Sequence, residues 1–397
     1  MKRILLLALC LACCAAGHAA AGNLPFPEAK RPVFGLSPNV SAEVMDGVTD
    51  AAFLDWLGRY VTTEGCPAGA YRVHRYLAYD YDTVSEGIGW GMLITAIMDN
   101  DAHPTKSYFD GLWRYYRANL NNYGLMKWKI SRAGIADDIE SASDADQNVA
   151  LALFYAHKQW QDADYLRAAK ALLKKIMAYE VATNKRKEFI LKPGTKWGGF
   201  GITNLSYYNP AYYRSWESYD RRFGQLLRRA EMLYGYFSAH YDTGLYPDWC
   251  TSKGGSTYLS YNYTYDATHI PLKLGLDFRW NGEHSRELKK LTAWAVKATQ
   301  GRPELIVDGY RLDGTPTGNY NNAPFVGPLA VAALAASNQQ AWLDKCYAQL
   351  VGLGTGGRFG YFNDTLRLIS LIIISGNWPD LWPTKQKQPE QSLRGWG

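Results

Sequence analysis

At 397 residues, with 47% hydrophobic and 14% aromatic side chains, the chain has material for one large core or two smaller ones. Its 43 basic and 37 acidic residues leave a net charge of +6. The basic residues are scattered, with only short clusters such as Lys185-Arg186-Lys187, which excludes a nucleic-acid footprint.

The chain opens with Lys2 and Arg3, an apolar run from Ile4 to Cys14, and the small residues Ala19-Ala20-Ala21. That is the pattern of a secretory signal peptide over residues 1–21, too short and wrongly flanked for a membrane span. Cleavage near Ala21 implies an exported protein, secreted or periplasmic, with a charge nearer +4. Leu-Ala before Cys13 faintly resembles a lipoprotein box, but Cys10 stands where an aliphatic residue is usual. Removal of the leader leaves Cys66, Cys250 and Cys346, an odd number without close spacing. They allow one disulfide at most, build no Cys-rich metal site, and are read as buried thiols.

Helical patterns follow in order near residues 50–61, 86–99, 106–120, 145–159, 162–179, 209–218, 222–240, 267–281, 283–299, 323–336, 339–350 and 362–375. Segments such as LITAIM, GPLAVAALAA and LISLIIIS are apolar on nearly every face, as buried helices are. RYYRANL, KALLKKI and KKLTAWAVKA are amphipathic, as outer helices are. Inner and outer characters alternate, which is what a toroid of helix pairs requires. No later segment has the apolar length of a membrane span. No Ser/Thr/Pro-rich linker divides the chain, so residues 22–378 are read as one catalytic-sized domain. The polar, Pro-containing segment 379–397 is read as a loosely attached tail.

Three carboxylates stand out by position: Glu86 in VSEGIGWGM, Asp144 in SASDADQ and Asp266 in YTYDATH. Each falls at the start of a predicted inner helix. In a toroid, parallel inner helices bring their N-termini to one face, so acids far apart in sequence can meet around a cleft. Glycosidic bond cleavage needs such a set: one carboxyl protonates the leaving oxygen, and another, across the sugar ring, activates water or attacks. The two pKa values must be pushed apart. Helix dipoles favour ionised acids at all three places, so a general acid at Glu86 needs a counter-effect, either a neighbouring carboxylate such as Asp144 or an apolar wall such as Trp90.

Plainer readings compete. An acid at a helix start most often caps it. Gly87, Gly89 and Gly91 mark close approach but lack the Lys-Ser/Thr ending of a phosphate loop. Asp144, Asp146 and Asn148 imitate the start of a calcium loop, but Val149 and Tyr155 stand where that loop needs Gly and Glu. The seven His show no HExxH spacing, so neither metal nor cofactor is implied; a Ser-His-Asp set stays open by sequence, although no G-x-S-x-G elbow is present.

The stretch ASDADQNVALALFYAHKQW resembles the signature of glycoside hydrolase family 8, the old cellulase family D. VSEGIGWGM is similar to that family's acid motif, and GLMKWKI, LKPGTKWGG, TGLYPDWC, YTYDATHIPLK, IVDGY and GYFNDTLRLISLIIISGNWP follow in the family's order over nearly the whole mature chain. Val149 and Phe154 are mild departures. The resemblance implies an all-α (α/α)6 barrel of six inner and six outer helices, and endo-acting β-1,4-glucanase activity with inversion. By motif position Glu86 would be the general acid, Asp266 the general base, and Asp144 a cleavage-subsite residue that binds the sugar and tunes Glu86. Asp146 would be structural. Trp128, Trp197, Tyr265 and, less directly, Phe362 would form sugar-stacking platforms. Where the family commonly carries Arg after the base, this chain has His269, Leu272 and Lys273, so an ordering Arg is either replaced by His269 or lost. The implied partner is a β-linked polysaccharide or oligosaccharide, met by a monomer. Chitosanase and xylanase are alternatives on the same scaffold. A non-catalytic glycan-binding protein is disfavoured by retention of all three acids, and a polysaccharide lyase by the carboxylate set itself.

Overall fold

The computed structural model describes residues 22–28 and 34–383; the expected leader (1–21) and the tail beyond Pro383 lie outside the described residues. Helix α1 (Ala42–Tyr60) begins eight residues before the expected 50, because the Ser41 hydroxyl accepts from the Val44 amide and starts the helix there. It buries Met45, Thr49, Phe53, Trp56 and Tyr60, one stripe at helical spacing. Eleven further α-helices follow among the described residues: α2 (Ser85–Ile97), α3 (Lys106–Ala118), α4 (Ser143–Trp160), α5 (Ala163–Tyr179), α6 (Pro210–Trp216), α7 (Arg222–His240), α8 (His269–Asn281), α9 (Ser285–Ala298), α10 (Ala323–Ala333), α11 (Gln340–Gly352) and α12 (Gly360–Ser375).

The expected alternation is present. Every residue of α2 except Glu86 is buried, and α4, α8, α10 and α12 are buried almost throughout. Helix α3 buries only Phe109, Gly111, Leu112, Tyr115 and Tyr116 and leaves Arg114 and Arg117 in water; α5 and α9 are likewise one-sided. The buried helices pack on one another in sequence, α2 on α4, α6 on α8, α8 on α10 and α10 on α12, while α3 covers α2 and α5 covers α4. The α2–α4 contact is the most extensive. A Cβ at Gly89 would lie 2.9 Å from the Ala145 carbonyl oxygen, so that glycine is a device of α2–α4 packing, whereas Gly87 makes room for Tyr361 and Gly91 for Val73.

Short strands, which the helical pattern gave no sign of, organise the loops. Thr83–Val84 pairs with Lys129–Ile130, and that strand pairs with Ala136–Asp138. Thr203–Asn204 pairs with Trp249–Cys250. At the opposite end, the amides of residues 22–24 donate to the Asp99 carboxylate and to the carbonyl and side-chain oxygens of Gln159 at 2.6–3.1 Å. Tail residue Trp382 packs edge-on against Phe154 at 5.3 Å, so the tail's first residues sit on the body of the protein. Cys66, Cys250 and Cys346 are free thiols, and Cys250 and Cys346 are buried. No helix of the described residues is long and apolar enough to cross a membrane.

Candidate active site

Strand Thr83–Val84 runs directly into α2 and puts Glu86 in its first turn. The Ser85 amide donates to the Trp128 carbonyl at 2.8 Å, so the Glu86 helix start and the Trp128 loop are one unit. Asp144 is the second residue of α4. Neither helix is capped by a side chain: the cap positions hold Val84 and Ala142. The capping reading therefore explains neither acid. Asp266 departs from expectation. Helix α8 begins at His269, and Asp266 lies in the turn before it, where its carbonyl accepts from the His269 amide (3.2 Å) and faces His269 Nδ1 (3.1 Å).

All three carboxyls line one cleft of about 780 Å³. Trp128 and Tyr265 line it too, as does Phe362, whose ring meets Tyr265 at 5.8 Å. Trp197 is set back: it is half-exposed, stands edge-on to Trp249 at 5.0 Å, and reaches the cleft only through the Trp249 contact with Tyr207 (6.3 Å). Asp146 lies underneath, fully buried, accepting from the Tyr116 hydroxyl and the Met126 amide.

The cleft has members that sequence reasoning did not name as site residues. Tyr361 of α12 donates to Glu86 Oε2 at 3.3 Å. Arg75 enters the wall held by two bonds to Asp82 (2.7 and 2.6 Å) with its guanidinium over the Tyr79 ring. Tyr79, Tyr320 and Phe359 add exposed rings. Their only sequence signal is the aromatic surplus itself. His269 Nε2 is 3.2 Å from Glu86 Oε1, short of a well-aligned hydrogen bond, and its ring stacks on Trp90. Lys273 is buried and donates to the Ser206 carbonyl; burial pushes its ammonium down to about 8, against the pull of Asp144 and Glu86.

The acids are driven apart electrostatically. Burial would raise Glu86, but His269, Tyr361 and the Arg75 charge outweigh it and hold the carboxyl below its ordinary value. Burial and the Glu86 charge push Asp144 up to about 6. Burial and the Asp248 charge push Asp266 up to about 7. The arrangement can hold and exchange protons among three carboxyls beside flat rings, which is the equipment of acid–base chemistry on a sugar.

Comparison with known proteins agrees. The family model for glycosyl hydrolases family 8 matches residues 35–376. Endoglucanase A of Acetivibrio thermocellus is 32% identical over 95% of this chain and 80% of its own length. The β-glucanase of Niallia circulans is 30% identical over 90% of this chain and 92% of its own. The apo structure of a β-1,3-1,4-glucanase from Paenibacillus sp. X4 superposes with a TM-score of 0.82 at 28% identity, covering 92% of this chain and all of that one.

Proposed function

The chain belongs to glycosyl hydrolase family 8, a glycoside hydrolase, and on that premise we propose an endo-acting β-1,4-glucanase that cleaves cellulose-like or mixed-linkage β-glucan with inversion. The observation that carries the reading is the convergence of Glu86, Asp144 and Asp266 on one ring-lined cleft. Relatives named endoglucanase and β-glucanase, at about 30% identity over most of both chains, support the β-glucan assignment.

Glu86 gives its proton to the glycosidic oxygen as the bond to the anomeric carbon breaks. Asp266 takes a proton from the water that attacks that carbon from the opposite face. In the protein alone, Glu86 is the most readily ionised of the three and Asp144 and Asp266 hold protons longer. Sugar hydroxyls donating to Asp144 and a water donating to Asp266 favour their ionised forms. The added negative charge beside Glu86, together with expelled solvent, then makes Glu86 the group that keeps the proton. Asp144 acts in this way as binder and tuner, and Trp128 and Tyr265 as stacking platforms, with Trp197 an outlying one.

The same reading takes the twelve helices as an (α/α)6 barrel. Side-chain bridges across neighbouring buried helices support closure: the Tyr212 hydroxyl on α6 meets Asn148 Oδ1 on α4 at 3.2 Å, and Tyr361 on α12 meets Glu86 on α2. Residues 22–378 are the catalytic unit, following a leader removed on export. The test is hydrolysis of barley β-glucan, carboxymethylcellulose, xylan and chitosan, with the product anomer followed by NMR. The α-anomer is expected first from the glucans; a β-anomer first, or xylan or chitosan as the preferred polymer, overturns the reading.

A further inference from the structure

We infer that Asp248 is a positioning residue: its buried carboxylate clamps the turn that carries Asp266 and leaves the Asp266 side chain facing the cleft. The inference rests on the reading of Asp266 as the base. Asp248 is 2% exposed and is not among the cleft-lining residues, so it meets no sugar. Its Oδ1 accepts from the amides of Thr264 (3.1 Å) and Ala267 (2.8 Å), which bracket Asp266 on both sides. Its Oδ2 accepts from the hydroxyls of Ser260 (2.7 Å) and Thr264. Backbone amides only donate, so the turn requires an acceptor oxygen at its centre, which the Asp248 carboxylate supplies.

Asp248 is itself held firmly. Its amide donates to the Asn262 carbonyl at 2.9 Å, and the next residues, Trp249 and Cys250, pair with Thr203 and Asn204. Immediately before the turn, Tyr263 and Tyr310 exchange backbone hydrogen bonds of 2.9 and 3.0 Å. The chain is thus held just ahead of the turn, and Asp266 takes its place from that backbone. The charged groups acting on Asp266 are Asp248 behind it, Glu86 of α2, Asp144 of α4 and His269 of α8. Burial raises the proton affinity of Asp266 most, and among the carboxylates Asp248 adds the largest share, so it acts on the affinity of Asp266 as well as its place.

The experiment compares D248A, D248N and D266N in the full chain by kcat and KM on barley β-glucan, by thermal melting, and by ¹³C NMR titration of the Asp266 carboxyl. Asp248→Ala is expected to lower kcat by roughly 10- to 100-fold with KM changed little, since the base is displaced rather than the sugar site. Asp248→Asn keeps an oxygen for the two amides and removes the charge. It should retain most of kcat and move the Asp266 titration to lower pH by about half a unit or more. A D248A kcat within threefold of the native enzyme overturns the inference. So does a D248N enzyme that loses as much kcat as D248A with Asp266 titrating unchanged, which would mean a merely structural role. Should D248A fail to fold, the D248N titration decides alone. A fully active D266N sinks the base assignment itself; an inactive D266N beside a near-native D248A sinks only the role of Asp248.

Discussion

Replacing Glu86 by Gln changes one proton and almost no shape. The amide keeps the volume of the carboxyl, and its oxygen can still accept from the Tyr361 hydroxyl now 3.3 Å away. The fold should survive, because Glu86 is the one partly exposed residue of α2 and the rest of that helix is buried apolar or small. What is lost is proton donation to the leaving oxygen, worth roughly 10²–10⁴-fold in rate, or about 2.7–5.4 kcal/mol of barrier. The loss should depend on the leaving group. A glucan chain leaves as a poor alkoxide and needs the proton; an aryl β-cellobioside leaves as a stable phenolate and needs it far less. With barley β-glucan the variant should fall by that full factor, while with a nitrophenyl cellobioside the loss should stay below about tenfold. The same substitution removes the charge that, after burial, does most to raise Asp144 to about 6, so the Asp144 titration should move downward. Equal losses on polymer and aryl substrate, with the Asp144 titration unmoved, would refute Glu86 as the acid.

The cleft and the packing beneath it give three more expectations. Trp128→Ala should raise KM on β-glucan by roughly tenfold, about 1.4 kcal/mol, whereas Trp197→Ala, one ring further back, should change it by less than about twofold; equal effects would contradict the placement of the two rings. Asp146 is buried with its folded pKa raised to about 7, above the ordinary aspartate value, so the folded state favours its protonated form and stability falls as pH climbs from about 4 through 7. Asp146→Asn should flatten that fall, seen by calorimetry as a melting point that gains on the native chain as pH rises; a constant difference across that window would be the contrary result. Gly89→Ala, which in an ordinary helix interior stabilises by about 1 kcal/mol, should here destabilise by roughly 1–3 kcal/mol, because the methyl meets the Ala145 carbonyl oxygen and Asn148 Cβ at 2.9 Å. A raised melting point would show that α2 and α4 separate more easily than their packing implies.

The sequence by itself determined the helices. LISLIIIS and KKLTAWAVKA declare a buried and a half-buried helix through side chains within a few turns of one another, though α1 starts eight residues ahead of its expected bound, at the Ser41 cap. Glu86 and Asp144 were legible for the same reason, since a helix start fixes its first turn. Where the determinant is distant the reading fell short. Asp266 stands before α8 rather than in it because the backbone of residues 264–267 is drawn to Asp248, which is 16 residues from Thr264 in sequence. Arg75 and Tyr361 join the Glu86 carboxyl from either end of the chain, and no spacing rule links positions 75, 86 and 361. Trp197 and Trp128 sit in similar polar loops, and only the packing of Trp249 and Tyr207 separates them. Which acid holds a proton is decided last of all, because it sums burial and charge over four helices and a turn that meet only in the folded protein.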